Sequence, residues 1–81
     1  MGMLRVMSHR GDDRVKWDLT KVEMIDAEAV AAVREAERIF DEERARGATA
    51  FKVVPGRPVE RIESFDRTAE QIVIVPRVVG G

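Results

Sequence analysis

"DAEAVAAVREAERIFDEERARG", residues 26–47, carries the longest periodic signal in the chain. Ala29, Ala32, Val33, Ala36, Ile39 and Phe40 recur at helical spacing and share one face, with Val30 at its edge. Arg34, Glu35, Arg38, Asp41 and Glu42 fall on the opposite face, where Arg38 with Glu42 and Glu42 with Arg46 are opposite charges four apart. Asp26 is placed to cap the N-terminus, Glu28 sits where the helix dipole favours a negative charge, and Gly47 suits a left-handed ending. The pattern predicts a helix from Asp26 to Arg46, and about 20 residues extend about 30 Å. Its apolar face needs a broad apolar surface to lie on, and only strands elsewhere in the chain can supply one.

Strand patterns stand on both sides of it. Met3 to His9 alternates, "RGDD" at residues 10–13 is turn chemistry, and "RVKWDLTKV" at 14–22 alternates again with Val15, Trp17 and Leu19 on one side. These predict an N-terminal hairpin. After the helix, "ATAFKVV" (48–54) reads as a strand, "PGRP" (55–58) as a turn and "VERIESF" (59–65) as a short edge strand. "DRTAE" (66–70) reads as one helical turn capped by Asp66, and Gln71 to Val75, apolar on both sides, as a central strand. The order β-β-α-β-β-β predicts an α+β fold, a mixed sheet of four or five strands with one long helix across one face. That is the β-grasp architecture. Val15, Trp17, Val30, Val33, Phe40, Phe51 and Ile74 are the expected contributors to the core or its margin, and the other sheet face is left for solvent or a partner.

Composition excludes several kinds of chemistry. The 81 residues suit a single small domain, and the absence of cysteine removes thiol nucleophiles, disulfides and cysteine metal sites together. The 14 basic residues, eleven of them arginine, nearly balance 15 acidic ones, so no basic excess points to nucleic acid. No apolar run approaches the ~20 residues that span a bilayer, and the first residues do not read as a secretory signal. Val6 stands where a myristoylation start calls for Ser or Thr. A cytoplasmic protein without nucleic-acid or membrane partners is expected.

Candidate chemical residues do not assemble into a catalytic group. His9 is the single histidine, Asp12 and Asp13 lack the spacing of a calcium loop, and "GRPVERIE" lacks the glycines of a phosphate loop. Glu42 and Glu43 point different ways from adjacent helix positions, and Trp17 reads as packing. The chain is therefore expected not to be an enzyme, with no metal or cofactor bound.

The most informative functional stretch is "QIVIVPRVVGG", residues 71–81. Pro76 cannot donate a ladder hydrogen bond, so pairing weakens there and the chain leaves the sheet extended. Five residues from Arg77 onward reach about 15 Å at ~3.3 Å each. Residues 1–76 are expected to form the domain and 77–81 a flexible tail ending in Gly80 and Gly81.

The strand order, the final strand "QIVIVP" and the tail "VVGG" together resemble the ubiquitin-like proteins, most closely the bacterial sulfur carriers and their protein-modifier relatives. The resemblance implies that the Gly81 carboxylate is activated by an ATP-using adenylating enzyme. Gly80 would be its partner, Pro76 the proline closing the last strand, and Pro76, Arg77, Val78 and Val79 the presenting arm. It also implies either conjugation to target proteins or a thiocarboxylate passed to a sulfur-transfer enzyme. Arg77 stands where sulfur carriers often place a second proline, which favours the modifier, and three lysines favour single attachment. A non-covalent binding module or small oligomer using the open sheet face is the alternative from another class.

Overall fold

The structure is a computed structural model and describes residues 1–8 and 11–77. Strands β1 (Gly2–Ser8) and β2 (Gly11–Trp17) precede helices α1 (Leu19–Glu23) and α2 (Ala27–Ala45), followed by β3 (Thr49–Val53), β4 (Glu60–Ile62) and β5 (Gln71–Val75). The strands form one mixed sheet in the order β2-β1-β5-β3-β4, with β1 and β5 parallel and the other neighbours antiparallel. The long helix packs across one face, a β-grasp-like arrangement. The predicted helix, the central last strand and the α+β class are all as the sequence implies.

Strand alternation decides the two faces. Leu4 and Val6 on β1 and Ile72 and Ile74 on β5 are cross-strand partners, and all four point under α2 and are buried. Ala50 extends this inner row onto β3. Ala29, Ala36 and Phe40 come down onto it from the helix, with Ala32, Val33 and Ile39 half-buried at the margin. Small alanines on both surfaces let helix and sheet approach closely, so volume is concentrated in a few large side chains.

Trp17 is the largest of these, at 2% exposed. It lies opposite Gly2 in the β1–β2 ladder. A Cβ on Gly2 would stand 2.1 Å from the indole Cε2, so only glycine leaves room for the ring. The indole Nε1 donates to the carbonyl of Arg67 at 2.9 Å. Phe65 packs on Trp17 with ring centroids 5.6 Å apart and edge-on to Phe40 at 5.9 Å. This series of rings ties β2, the segment before β5 and α2 into one core.

Four local expectations are corrected. The second strand stops at Trp17 rather than Val22, because the Asp18 carboxylate accepts from the amides of Thr20 (2.9 Å) and Lys21 (3.4 Å) and caps α1. Gly11 to Asp13, read as turn, continue β2 opposite Ser8 to Val6, and His9 and Arg10 lie outside the described residues. "VERIESF" pairs only over Glu60–Ile62, since Phe65 turns inward to the ring cluster. "DRTAE" is a turn, not a helical one, with Asp66 Oδ1 accepting from the amide of Thr68 and Ala69 N–H donating to the Asp66 carbonyl.

Two packing expectations also change. Phe51 sits on the face away from the helix, opposite Val73, because β3 alternates from Ala50 inward. Val30 stays outside the buried cluster. On the helix surface Arg38 bonds both Glu35 and Glu42, whereas Arg46 pairs with Glu43 at 3.4 Å and not with Glu42. Hydrogen bonds from Arg38 hold the Glu35 carboxyl below its ordinary pKa. Such exposed pairs contribute little to stability.

The α1–α2 corner carries one strained residue. Ile25 N–H donates to Val22 O at 3.0 Å and Asp26 N–H to Lys21 O at 2.9 Å, the paired bonds that close a helix around a left-handed residue. That residue is Ile25, at φ 57° and 82% exposed. A β-branched side chain is strained there and its exposure gives no packing in return. Ile25→Gly is expected to raise stability by about 1 kcal/mol, and Gly2→Ala to lower it by about 2 kcal/mol through displacement of Trp17. Urea unfolding of the two variants beside the parent reads both signs.

Candidate functional site

Three surface features emerge from the fold. The first is the exit of β5. Its pairing runs through Val75, opposite Thr49, and ends there. Pro76 is half-buried and Arg77 exposed, at the point where the chain leaves the sheet beside the end of α2. Of the six residues the tail pattern singles out, Pro76 and Arg77 are described. Val78, Val79, Gly80 and Gly81 lie outside the described residues.

The second surface is the sheet face away from α2. Direct cross-strand partners run Arg14–Arg5–Val73–Phe51–Arg61, one residue from each of the five strands. Neighbouring strands lie ~4.8 Å apart, so the row spans about 19 Å. Val53 and Val75 flank Phe51 and Val73, while Met3, Met7 and Lys16 occupy the β1–β2 side. Met7 is 42% and Val75 40% exposed. Among the described side chains of this face, every charged one is basic: Arg5, Arg14, Lys16 and Arg61.

This basic row escaped the sequence reading for a definable reason. Net charge averages the whole chain, and the acidic residues of α2 cancel what the open face concentrates. The alternation of Met3, Arg5 and Met7 was the available signal, but only the register shows that Arg5, Arg14 and Arg61 share a row.

On the helix side, α2 leaves the β3–β4 end of the sheet uncovered. A groove of ≈ 830 Å³ opens there among Val30, Val33, Ile62, Phe65, Lys52 and Asp66. Lys52 and Glu60 are cross-strand partners on the inner side of that end. Lys52 Nζ contacts Asp66 Oδ2 at 3.0 Å. Hydrogen bonding from Thr68, joined by that from Lys52, holds the Asp66 carboxyl below its ordinary pKa. The charges of the groove are of both signs and partly satisfied within the chain.

Among the described residues no group of His, Cys, Asp and Glu is arranged to hold a metal ion, and no helix is long and apolar enough to cross a membrane. No family model, curated protein or solved structure matches the chain. The molecule is thus classed by fold alone, as a small α+β domain with a β-grasp-like sheet.

The Asp66 bonds give a pH signature. A carboxyl whose folded pKa lies below its unfolded value, about 3.9, stabilises the fold above that value, and the contribution is lost as pH falls through the folded pKa. Asp66→Asn is expected to be less stable than the parent at neutral pH. The difference should narrow in acid below about pH 3.9. Urea midpoints measured across that range test this, and a gap independent of pH would contradict the assignment.

Proposed function

We propose that the protein is a ubiquitin-like modifier acting through Gly81. A free Gly81 carboxylate, however that end arises in the cell, attacks the α-phosphate of ATP on an adenylating enzyme and releases pyrophosphate. The acyl adenylate is then attacked by an amino group of a target protein, forming an amide and releasing AMP. The tail needs no acid or base of its own, because adenylation supplies the leaving group. Its contributions are reach and the absence of side chains at Gly80 and Gly81, which lets backbone approach the nucleotide closely.

The observation that carries this proposal is the position of β5. It lies at the centre of the sheet between β1 and β3, and the chain leaves it at Pro76 with Arg77 exposed. A centrally anchored strand gives a following "VVGG" a rigid base. A sulfur carrier needs the same base and the same adenylate, with sulfide replacing the amine; Arg77 in place of a second proline favours the modifier. No ATP or metal is assigned to this chain itself.

Removing Gly80 and Gly81 is expected to leave the melting temperature unchanged, since glycine has no side chain to bury, and to abolish transfer. Gly81→Ala should fold normally and transfer poorly. The check is a deletion strain supplied with each variant. Full rescue by the chain lacking both glycines would overturn the proposal.

A second function is favoured by the open face. Apolar Val73, Phe51, Val53 and Val75 at its centre, with Arg61 beside Phe51 at the β4 edge, complement a protein segment with apolar side chains and an acidic flank. Association through this face would weaken with salt. A Val73→Asp, Arg61→Glu double variant that keeps its fold is expected to lose such partners in cross-linking from native cells, and an unchanged partner set would remove this function.

A further inference from the structure

Gly47 and Arg77 meet where α2 ends and the terminal segment begins. Thr49 and Val75 are cross-strand partners. Gly47 and Arg77 each stand two residues outside that pair, facing one another on the prolongation of the β3–β5 ladder. Gly47 has φ +92°, and its amide donates to the Arg44 carbonyl at 3.0 Å, closing α2. A Cβ built at Gly47 would lie 3.2 Å from Cδ, 3.9 Å from Cβ and 3.8 Å from Nη1 of Arg77. The aliphatic stem of Arg77 therefore crosses Gly47. Its guanidinium reaches the C-terminal end of α2, where the helix dipole is negative and a cation is favoured.

Gly47 thus meets two demands at once. Its positive φ suits glycine, and the missing side chain provides the seat for Arg77. Pro76, just before, has no N–H with which to hold the departing chain. The next residue, Arg77, lies with its stem against Gly47.

We propose that Arg77, seated on Gly47, is a positioning latch that sets where the terminal arm starts. With the stem seated, the arm beyond it is residues 78–81, reaching about 13 Å at ~3.3 Å per residue. With it released, the arm begins at the end of β5 and reaches about 20 Å. An enzyme that grips Arg77 itself must first lift it from Gly47, so the latch also sets the cost of engagement. The latch stands on geometry alone, and only its consequence for transfer rests on the Gly-Gly function proposed above.

Trypsin reads the latch without any transfer chemistry, because it must draw the Arg77 guanidinium into its own pocket before cutting the following bond. Gly47→Asn is the informative variant: asparagine accepts a positive φ, but its Cβ crowds the Arg77 stem. Limited digestion of the full chain, at a temperature where both proteins are folded, is expected to cut after Arg77 several-fold faster in Gly47→Asn than in the parent, with cutting after Arg67 as the internal reference for any loss of stability. Equal rates would overturn the latch. Should Gly47→Asn fail to fold, Arg77→Ala gives the second test in a 1H–15N spectrum. Shifts at Arg46, Gly47 and Ala48 are expected, and unshifted resonances there would overturn the proposal even if tail transfer is observed.

Discussion

The seat of Trp17 on Gly2 is the constraint on which the rest of the fold depends. The indole needs the hydrogen face of a glycine on the neighbouring strand, a carbonyl from residue 67 and the flank of Phe65. They come from two stretches of the chain, Gly2 from β1 and the other two from the segment between β4 and β5, and all three must be in place before the ring is dry. The bond from Nε1 draws the segment between β4 and β5 beneath the sheet, and Phe65 then meets Phe40 of α2. A buried indole without that acceptor would leave a donor unsatisfied at about 1–3 kcal/mol. Closure of the core and placement of β5 are therefore one event.

Placement of β5 links packing to function. Parallel pairing with β1 and antiparallel pairing with β3 hold it from both sides, with Ile72 and Ile74 fully buried. The strand can end abruptly at Pro76 without loosening, so the chain beyond it starts from a fixed base. The other side of the same strand offers Val73 and Val75 to the open face, between arginines aligned with them by the register of all five strands. One strand thus serves the core with alternate residues and two surfaces with the rest.

Much of this was legible in the sequence. The helix was read from Asp26, Gly47 and its apolar stripe, and β5 from an apolar run cut by proline. Their boundaries survive because cap chemistry and proline act locally. The helix α1 was missed because Asp18 reads equally as a strand residue and a cap, and only the amides of Thr20 and Lys21 decide between them. Phe51 was assigned inward on hydrophobicity, whereas strand alternation from Ala50 turns it out. For the basic row the sequence shows only the alternation around Arg5, since the row itself exists only once five strands are in register. Of the tail, the sequence offers the pattern, and the structure describes only its first two residues, Pro76 and Arg77.

The central claim is that the end of this chain is chemically used. Mass spectrometry of the protein from its native cells, with a search of that proteome for its tail on lysine, tests this most directly. The account predicts a Gly81 carboxylate joined through an amide to lysines of other proteins, and a population of the free chain ending at Gly81. Finding the chain only in unmodified form, or always extended beyond Gly81, with no lysine bearing the tail and no sulfur-for-oxygen exchange at the terminus, would contradict it.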